Sequence, residues 1–272
     1  MQWMKFLGAI AAFGLIGAAP APGVPRRIVS LNVCADQYVL ALADPGQIAA
    51  LSSNARNAEL SAAAVQARPF RSLRRPSEEV MAIAPDLLLG FPLGDTVAGA
   101  PPGRWNIVGL ETADSYPMVM EQIRRTAKAV GHPERGEALI ARMNRDLAAL
   151  PRPQRSGVAA YYQRRGYMTG TGTLVDDLMR RAGLTNLAGK LGKPALAQIP
   201  LEQMIAARPD WLIVESGSEQ VVDQGTEMLH HPILKDIPRI RVPQAWTVCG
   251  GPAYVLAARS IVAQINAAPR RR

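Results

Sequence analysis

Cys34 and Cys249 are the two cysteines of this 272-residue chain, and their chemistry has three readings. They form one disulfide, they present thiolates to a bound metal or metal complex, or they remain two unreactive buried thiols. A disulfide needs Cα atoms within about 7 Å, a distance that no sequence supplies. The three histidines offer less. His132 falls at a helix break, His230 and His231 are adjacent ahead of Pro232 and so point apart, and no H-x-x-x-H or C-x-x-C spacing occurs. No dedicated metal-ion site is expected. Gly170-Thr171-Gly172-Thr173 has part of the glycine pattern of a phosphate-binding loop, but it lacks the lysine of a P-loop and the third glycine of a dinucleotide fingerprint. Gly250-Gly251-Pro252 reads as a turn, and no G-x-S-x-G elbow is present. An enzyme is the competing class, and it has no complete motif.

The elements that must position these residues are announced by a phrase written twice. Ser77 to Leu89 (SEEVMAIAPDLLL) returns as Leu201 to Ile213 (LEQMIAARPDWLI), with Glu, Ala, Pro, Asp and Leu matched at a constant offset of 124. In each copy an acidic residue suits the first turn of a helix, apolar residues recur at helical spacing, and proline ends the helix. An apolar run then follows as a buried strand. The offset is too long for a solenoid repeat, so it predicts two similar α/β lobes with a cleft between them.

Length agrees with two domains. A mean hydropathy near zero argues against disorder. The net charge of +9 is spread along the chain, apart from Arg71, Arg74 and Arg75, Arg164 and Arg165, and the Arg270–Arg272 tail. No helix-turn-helix, zinc-finger or aromatic RNA-binding motif accompanies it, so nucleic acid is not an expected partner. Residues 1–22 read as a signal peptide: Lys5, an apolar stretch from Phe6 to Ala19, and small residues around a cleavage point between about Ala18 and Gly23. No cysteine lies there, so no lipid anchor is expected. No later run approaches ~20 apolar residues, which leaves a mature protein free in the periplasm.

The first lobe is expected over residues 23–115, with strands at Arg27–Leu31, Ile48–Leu51 and Asn106–Leu110 and a helix at Ala35–Ala43. Residues 116–156 carry helical periodicity broken at Gly131-His132-Pro133, and the stretch from Pro133 to Leu150 is long enough to bridge two lobes. The second lobe, 157–272, has strands at Gly157–Tyr162 and Arg239–Val242, a helix at Asp176–Ala182 and a closing helix at Ala253–Ala267. The alternation predicts mainly parallel sheets, Rossmann-like, with helices on their faces.

RIVSLNVCADQYVLALADPGQIAAL near the start, the two Glu…Ala…Pro-Asp units, the helix after Gly131-His132-Pro133-Glu134 and the closing WTVCGGPAYVLAARSIV together resemble the periplasmic substrate-binding proteins of ATP-driven importers for iron siderophores, haem and cobalamin. The resemblance covers essentially the whole mature chain. It implies two Rossmann-like lobes joined by a rigid helix, a metal-chelate ligand held between them, no cofactor of the protein's own, a monomer, and delivery to an inner-membrane permease and its ATPase. It further implies that Glu78 and Glu202, one per lobe, pair with arginines of the permease; the alternative is that both only complement helix dipoles.

Ligands of such folds sit where loops converge at the C-terminal ends of parallel strands. With the resemblance, this rule makes Asn32, Cys34, Arg71, Arg74 and Trp105 candidates on the first lobe. Tyr162, Arg164, Arg165, Tyr167, Trp246 and Cys249 are candidates on the second. Arginine can hold carboxylates bidentately, and Tyr or Trp can stack on a planar ligand. The bland alternative is that the arginines only solvate exposed loops. Ferric siderophores and corrinoids head the ligand classes, with haem third; Tyr162, Tyr167 or Tyr254 are candidate iron ligands for haem. A sensory binding module would differ in partner rather than in ligand chemistry.

Overall fold

The computed structural model describes residues 23–90, 105–218, 221 and 223–269. The expected signal segment, the Pro/Gly loop at 92–103 and the Arg270–Arg272 tail lie outside the described residues. The first lobe contains β1 (Ile28–Ser30), α1 (Val33–Leu42), β2 (Ile48–Ala50), α2 (Pro76–Ile83), β3 (Leu87–Gly90) and β4 (Asn106–Gly109). Its sheet is parallel throughout, in the order β2-β1-β3-β4. Two helices follow, α3 (Tyr116–Ala129) and α4 (Pro133–Ala148).

The second lobe runs through β5 (Gly157–Tyr161), β6 (Tyr167–Thr169), α5 (Leu174–Arg181), β7 (Leu184–Asn186), α6 (Leu187–Lys190), β8 (Leu196–Gln198), α7 (Leu201–Ala207), β9 (Trp211–Glu215), α8 (Gln224–Glu227), β10 (Arg239–Val242), α9 (Gln244–Thr247) and α10 (Tyr254–Ala267). Its parallel sheet has the order β10-β9-β5-β7. Numbered within each lobe, both sheets have the same order, 2-1-3-4, so the written repeat is a topological repeat. The second lobe adds an antiparallel ribbon of β6 and β8, which the alternation of apolar residues does not reveal.

The repeated phrase folds alike in both places. Its helices end at Ile83 and Ala207, and the next residue, Ala84 or Arg208, takes a left-handed conformation with φ of 48° or 44°. Proline follows each, and it disfavours the right-handed α region for its predecessor; that conformational turn, one residue earlier than the proline itself, is what stops the helix. The matched aspartates then fasten neighbouring strands. The Asp86 carboxylate accepts from the backbone N–H groups of Arg26 and Arg27 at 2.7 and 2.8 Å, just ahead of β1. That of Asp210 accepts from the N–H of Val158 in β5 at 2.8 Å.

Strand parity divides the packing. Ile28, Leu87 and Leu89 of the first sheet, and Ala159, Tyr161, Trp211 and Ile213 of the second, join one core that also takes residues of α1, α3, α4, α5 and α10. Their neighbours Val29 and Leu88, and Ala160, Tyr162 and Leu212, pack in separate outer clusters. The bridge is a hairpin: α4 has 16 residues, about 24 Å at 1.5 Å per residue, and returns along α3. A side chain at Gly136 would place its Cβ 2.6 Å from that of Ala127, so glycine permits the close approach. The hairpin corner is fixed to the first lobe by Arg135, which donates to the Asp44 carboxylate at 2.6 Å, and by Gln47, which donates to the Val130 carbonyl at 3.0 Å.

Candidate functional site

Two links join the lobes beside the cleft, and a third ties the second lobe to the bridge. Cys34 and Cys249 form a disulfide, with Cα atoms 5.3 Å apart. This removes the other two readings: neither sulfur is a thiolate for a metal complex, and neither is free. Tyr38 donates its hydroxyl proton to the Gly250 carbonyl. A Cβ on Gly250 would stand 2.4 Å from the Ala113 carbonyl oxygen, so a larger residue would force the lobes apart. The third link centres on Asp177 of α5, whose carboxylate accepts from the Tyr116 N–H at 3.2 Å and from the Tyr254 hydroxyl at 2.5 Å. Arg181 donates to the same hydroxyl at 2.9 Å and lies over both tyrosine rings, whose centroids are 5.0 Å apart. Burial first, and the hydrogen bond to Asp177 second, push the Tyr254 phenol up. Tyr254 is therefore a structural donor rather than an iron ligand.

Two adjoining cavities lie at the C-terminal ends of the strands. One, about 210 Å³, is lined by Thr112, Ala113 and Asp114 after β4 and by Tyr161, Gln163, Thr169, Thr173, Glu215, Gln244 and Thr247 of the second lobe. The other, about 480 Å³, sets Ala58 and Glu59 of the first lobe against Arg164, Glu215, Ser216, Ser218, Thr226 and Gln244. Glu215 and Gln244 line both, so the cavities form one cleft. In the second lobe the cleft follows the divergence of the chain after β5 and β9, adjacent strands whose connections part at the topological switch point.

A hydrogen-bond chain organises this wall. Thr169 donates to Gln163 at 3.0 Å, Gln163 donates to Glu215 at 3.2 Å, and the Tyr161 hydroxyl lies 3.4 Å from Glu215 and 3.3 Å from the Thr247 hydroxyl. Burial, and then the Glu215 charge, push the Tyr161 phenol up and keep it protonated. The second-lobe wall thus offers side-chain amides, hydroxyls and the Glu215 carboxylate, and Asp114 and Glu59 line the cleft from the first lobe. Arg164 adds a half-exposed guanidinium, paired with Asp223, which in turn caps α8. An acidic and hydroxyl-rich surface of this kind has donors and acceptors for a ligand edged with hydrogen-bonding groups.

The expected residues divide between cleft and elsewhere. Arg164 lines the larger cavity. Tyr162 is wholly buried on the opposite face of β5, where its hydroxyl meets the sulfur of Met228, so the expectation that it contacts ligand or haem iron does not hold. Arg165 occupies a left-handed turn and Tyr167, partly exposed, opens β6; neither lines the two cavities. Asn32 caps α1, its side chain accepting from the N–H groups of Cys34 and Ala35. Arg71 pairs with Glu79 at 2.6 Å, Arg74 donates its backbone N–H to the same carboxylate, and Trp105 packs against the outer cluster of the first lobe. Trp246 packs partly buried on the main core. Glu215, Gln163, Gln244 and Thr247 were not among the expected residues, since uncharged amides and hydroxyls carry a weaker sequence signal than arginines and aromatics, although Glu215 follows directly on the Trp211–Val214 run.

Adjacent Glu78 and Glu79 have different surroundings. Glu79 accepts from the N–H groups of Arg75 and Arg74 and from the Arg71 guanidinium, which hold its pKa down at about 2. Glu78 has its side chain 72 % exposed and pairs with Arg75 at 3.3 Å. Glu202 is likewise exposed in the first turn of α7. Helices α2 and α7 lead into β3 and β9 and begin at the end of each lobe where the strands finish, so both glutamates stand on the cleft side. Among the described residues no group of three His, Cys, Asp or Glu side chains is placed to hold a metal ion, and no helix is long and apolar enough to cross a membrane.

Two parallel sheets of the same strand order with a cleft at their C-terminal ends define a two-lobe α/β binding fold. Residues 28–241 match the family model described as periplasmic binding protein, and the chain belongs to that family. Its fold is also that of the periplasmic haem-binding protein RhuT from Roseiflexus sp. RS-1, at 24 % identity and a TM-score of 0.67 over 88 % of this chain and 97 % of that one. It is similar to an ABC-type Fe3+-hydroxamate transport protein from Saccharomonospora viridis, at 21 % identity, a TM-score of 0.65 and coverage of 90 % and 94 %. The periplasmic vitamin B12-binding protein BtuF of Vibrio cholerae matches at 14 % identity with a TM-score of 0.62, covering 89 % and 97 %. No curated protein matches the chain.

Proposed function

We propose that the protein is the periplasmic solute-binding component of an ATP-driven importer and carries a metal chelate whose rim is rich in amides or hydroxamates, a corrinoid or a ferric siderophore. The observation that carries this reading is the cleft wall of Gln163, Glu215, Gln244, Thr169 and Thr247, which supplies paired donors and acceptors in place of a broad aromatic face. The solved relatives named for Fe3+-hydroxamate transport and vitamin B12 binding support the chelate class. Haem ranks lower because Tyr162 and Tyr254, two of its three candidate iron ligands, are buried in other bonds. The protein acts as a monomer without a cofactor of its own, leaves the cytoplasm through the signal segment 1–22, and presents Glu78 and Glu202 to arginines of the permease. Residues 23–115, 116–156 and 157–272 are its first lobe, bridge and second lobe.

The test is a tryptophan-fluorescence titration of the signal-free protein with cobalamin, cobinamide, ferric hydroxamates and haem. Saturable quenching at submicromolar cobalamin, cobinamide or hydroxamate is the expected result. Binding of haem alone would replace the ligand class, and no response to any, repeated by calorimetry, would reject the chelate reading.

A further inference from the structure

The cleft has a charge opposite to that of the chain around it. The protein carries a formal net charge of +9. Its cleft is nevertheless lined by three carboxylates, Glu59, Asp114 and Glu215, and by one cation, Arg164, which is itself paired with Asp223. None of the three carboxylates has an ion-pair partner among the described residues. Arginines that would meet an anionic rim are engaged or placed elsewhere: Arg71 pairs with Glu79, and Arg165 lines neither cavity. In sequence, segment 91–104 after β3 contributes only Asp95 and Arg104, and position 219 a further glutamate, so the residues outside the described ones do not reverse the sign.

The carboxylates are divided between the lobes. Asp114, after β4 of the first lobe, and Glu215 of the second line the smaller cavity, and Glu59 of the first lobe lines the larger one with the same Glu215. Each cavity therefore has a carboxylate from each lobe. Glu215 is held by the Gln163 amide at 3.2 Å and the Tyr161 hydroxyl at 3.4 Å, two neutral donors that orient its charge without cancelling it. Like charges on opposing walls repel, and the repulsion grows when a ligand displaces the water that screens it. A cation between the walls replaces that repulsion with attraction from both lobes at once, whereas an anion adds to it.

We propose that the cleft selects metal chelates of net positive charge, with Glu215 as the charge-selecting residue common to both cavities and Asp114 and Glu59 as its counterparts on the first lobe. The inference rests on the reading of the cleft as a chelate site and narrows that reading by charge. A hydroxamate chelate with a free ammonium arm and a cationic corrinoid have the required sign. Catecholate and citrate chelates, and haem with its two propionates, have the opposite one, and their repulsion contributes to specificity as much as the attraction of the cation does.

Three probes share one iron-hydroxamate core and differ in a single arm: ferrioxamine B with its ammonium, its neutral N-acetyl derivative, and its N-succinyl derivative, which ends in a carboxylate. Aquacobinamide and neutral dicyanocobinamide give the same contrast for corrinoids. Each is titrated by calorimetry into the signal-free protein. The cationic member of a series is expected to bind at least tenfold more tightly than the neutral one, with the anionic arm weakest, and raising the ionic strength from about 0.05 to about 0.5 M should shrink that margin. D114N/E215Q, which keeps the shape of both side chains, should bring the cationic probe down to the affinity of the neutral one and leave the neutral one unchanged. Equal or inverted affinities within a series that binds, or a margin that D114N/E215Q leaves intact, overturn the charge selection while the chelate reading stands. An equal loss for cationic and neutral probes in the variant also overturns it, because the carboxylates would then act only as hydrogen-bond acceptors. Failure of all five probes while haem or a ferric catecholate binds has the same meaning. Failure of every chelate rejects the chelate reading itself and the selection with it.

Discussion

The two lobes carry out the same construction with different side chains at corresponding places. In the first, Asp36 of α1 turns inward and accepts from the backbone N–H and hydroxyl of Ser52, at 2.9 and 2.6 Å, just beyond β2. In the second, Asp176 of α5 accepts from Asn186 at the end of β7, at 3.2 Å, and the neighbouring Asp177 reaches out to the bridge and α10. A helix-to-strand latch is common to both lobes, and the second has an additional carboxylate that ties it to the bridge. Duplicated topology therefore constrains the fold, while interlobe geometry and ligand chemistry reside in the residues that differ.

The disulfide ties the lobes outside the repeat, and the largest effect on stability is expected there. It joins positions 215 residues apart, and its loss in C34S/C249S should lower stability by about 2–4 kcal/mol. Denaturant unfolding of oxidised, reduced and mutant protein checks this, with reduced wild type expected to match the mutant. An unchanged midpoint would mean that the lobes hold one another without it.

The next effect belongs to the first lobe. Burial lifts the Asp36 pKa from 3.8 to about 6, against the hydrogen bonds of Ser52 that lower it. Between these values the folded protein binds more protons than the unfolded chain, so stability conferred by this group is complete below pH 4 and declines as pH rises through about 6. The decline is at most about 3 kcal/mol. Unfolding midpoints measured across this range should slope for wild type and lose that component in D36N.

A smaller effect sharpens the difference at the matched aspartates. Asp86 secures two N–H groups and Asp210 secures one. D86A should cost about 2 kcal/mol and D210A about 1 kcal/mol by chemical denaturation. Equal costs would show that the two fastenings have the same weight. The smallest effect on stability is expected for E78R/E202R, within about 0.5 kcal/mol, with ligand affinity kept and stimulation of the importer's ATPase abolished. Retained stimulation would remove the docking role from this pair.

The repeated helix-Pro-Asp-strand phrase made the two lobes legible, because helical spacing, a breaker and an apolar run occur together in both copies. The β6–β8 ribbon was not legible: its strands have three residues each, too few for a period to show. The cysteine pairing depended on a distance between lobes, which local sequence does not encode. At the site the error was one of parity. Side chains alternate along a strand, so Tyr161 faces the cleft and Tyr162 faces the outer cluster, and a shift of one residue exchanges wall for core. Glu78 and Glu79 likewise look equivalent in sequence, and only the backbone N–H groups of Arg74 and Arg75 separate them.

The ligand is expected in the cleft whose two cavities share Gln244. The most direct measurement is a calorimetric titration of wild type and Q244W, in which the indole fills the common wall, with the chelate that quenches wild-type fluorescence. Saturable binding to wild type and its loss in a Q244W protein that melts normally is the expected result. Equal affinity in the two proteins would place the ligand elsewhere.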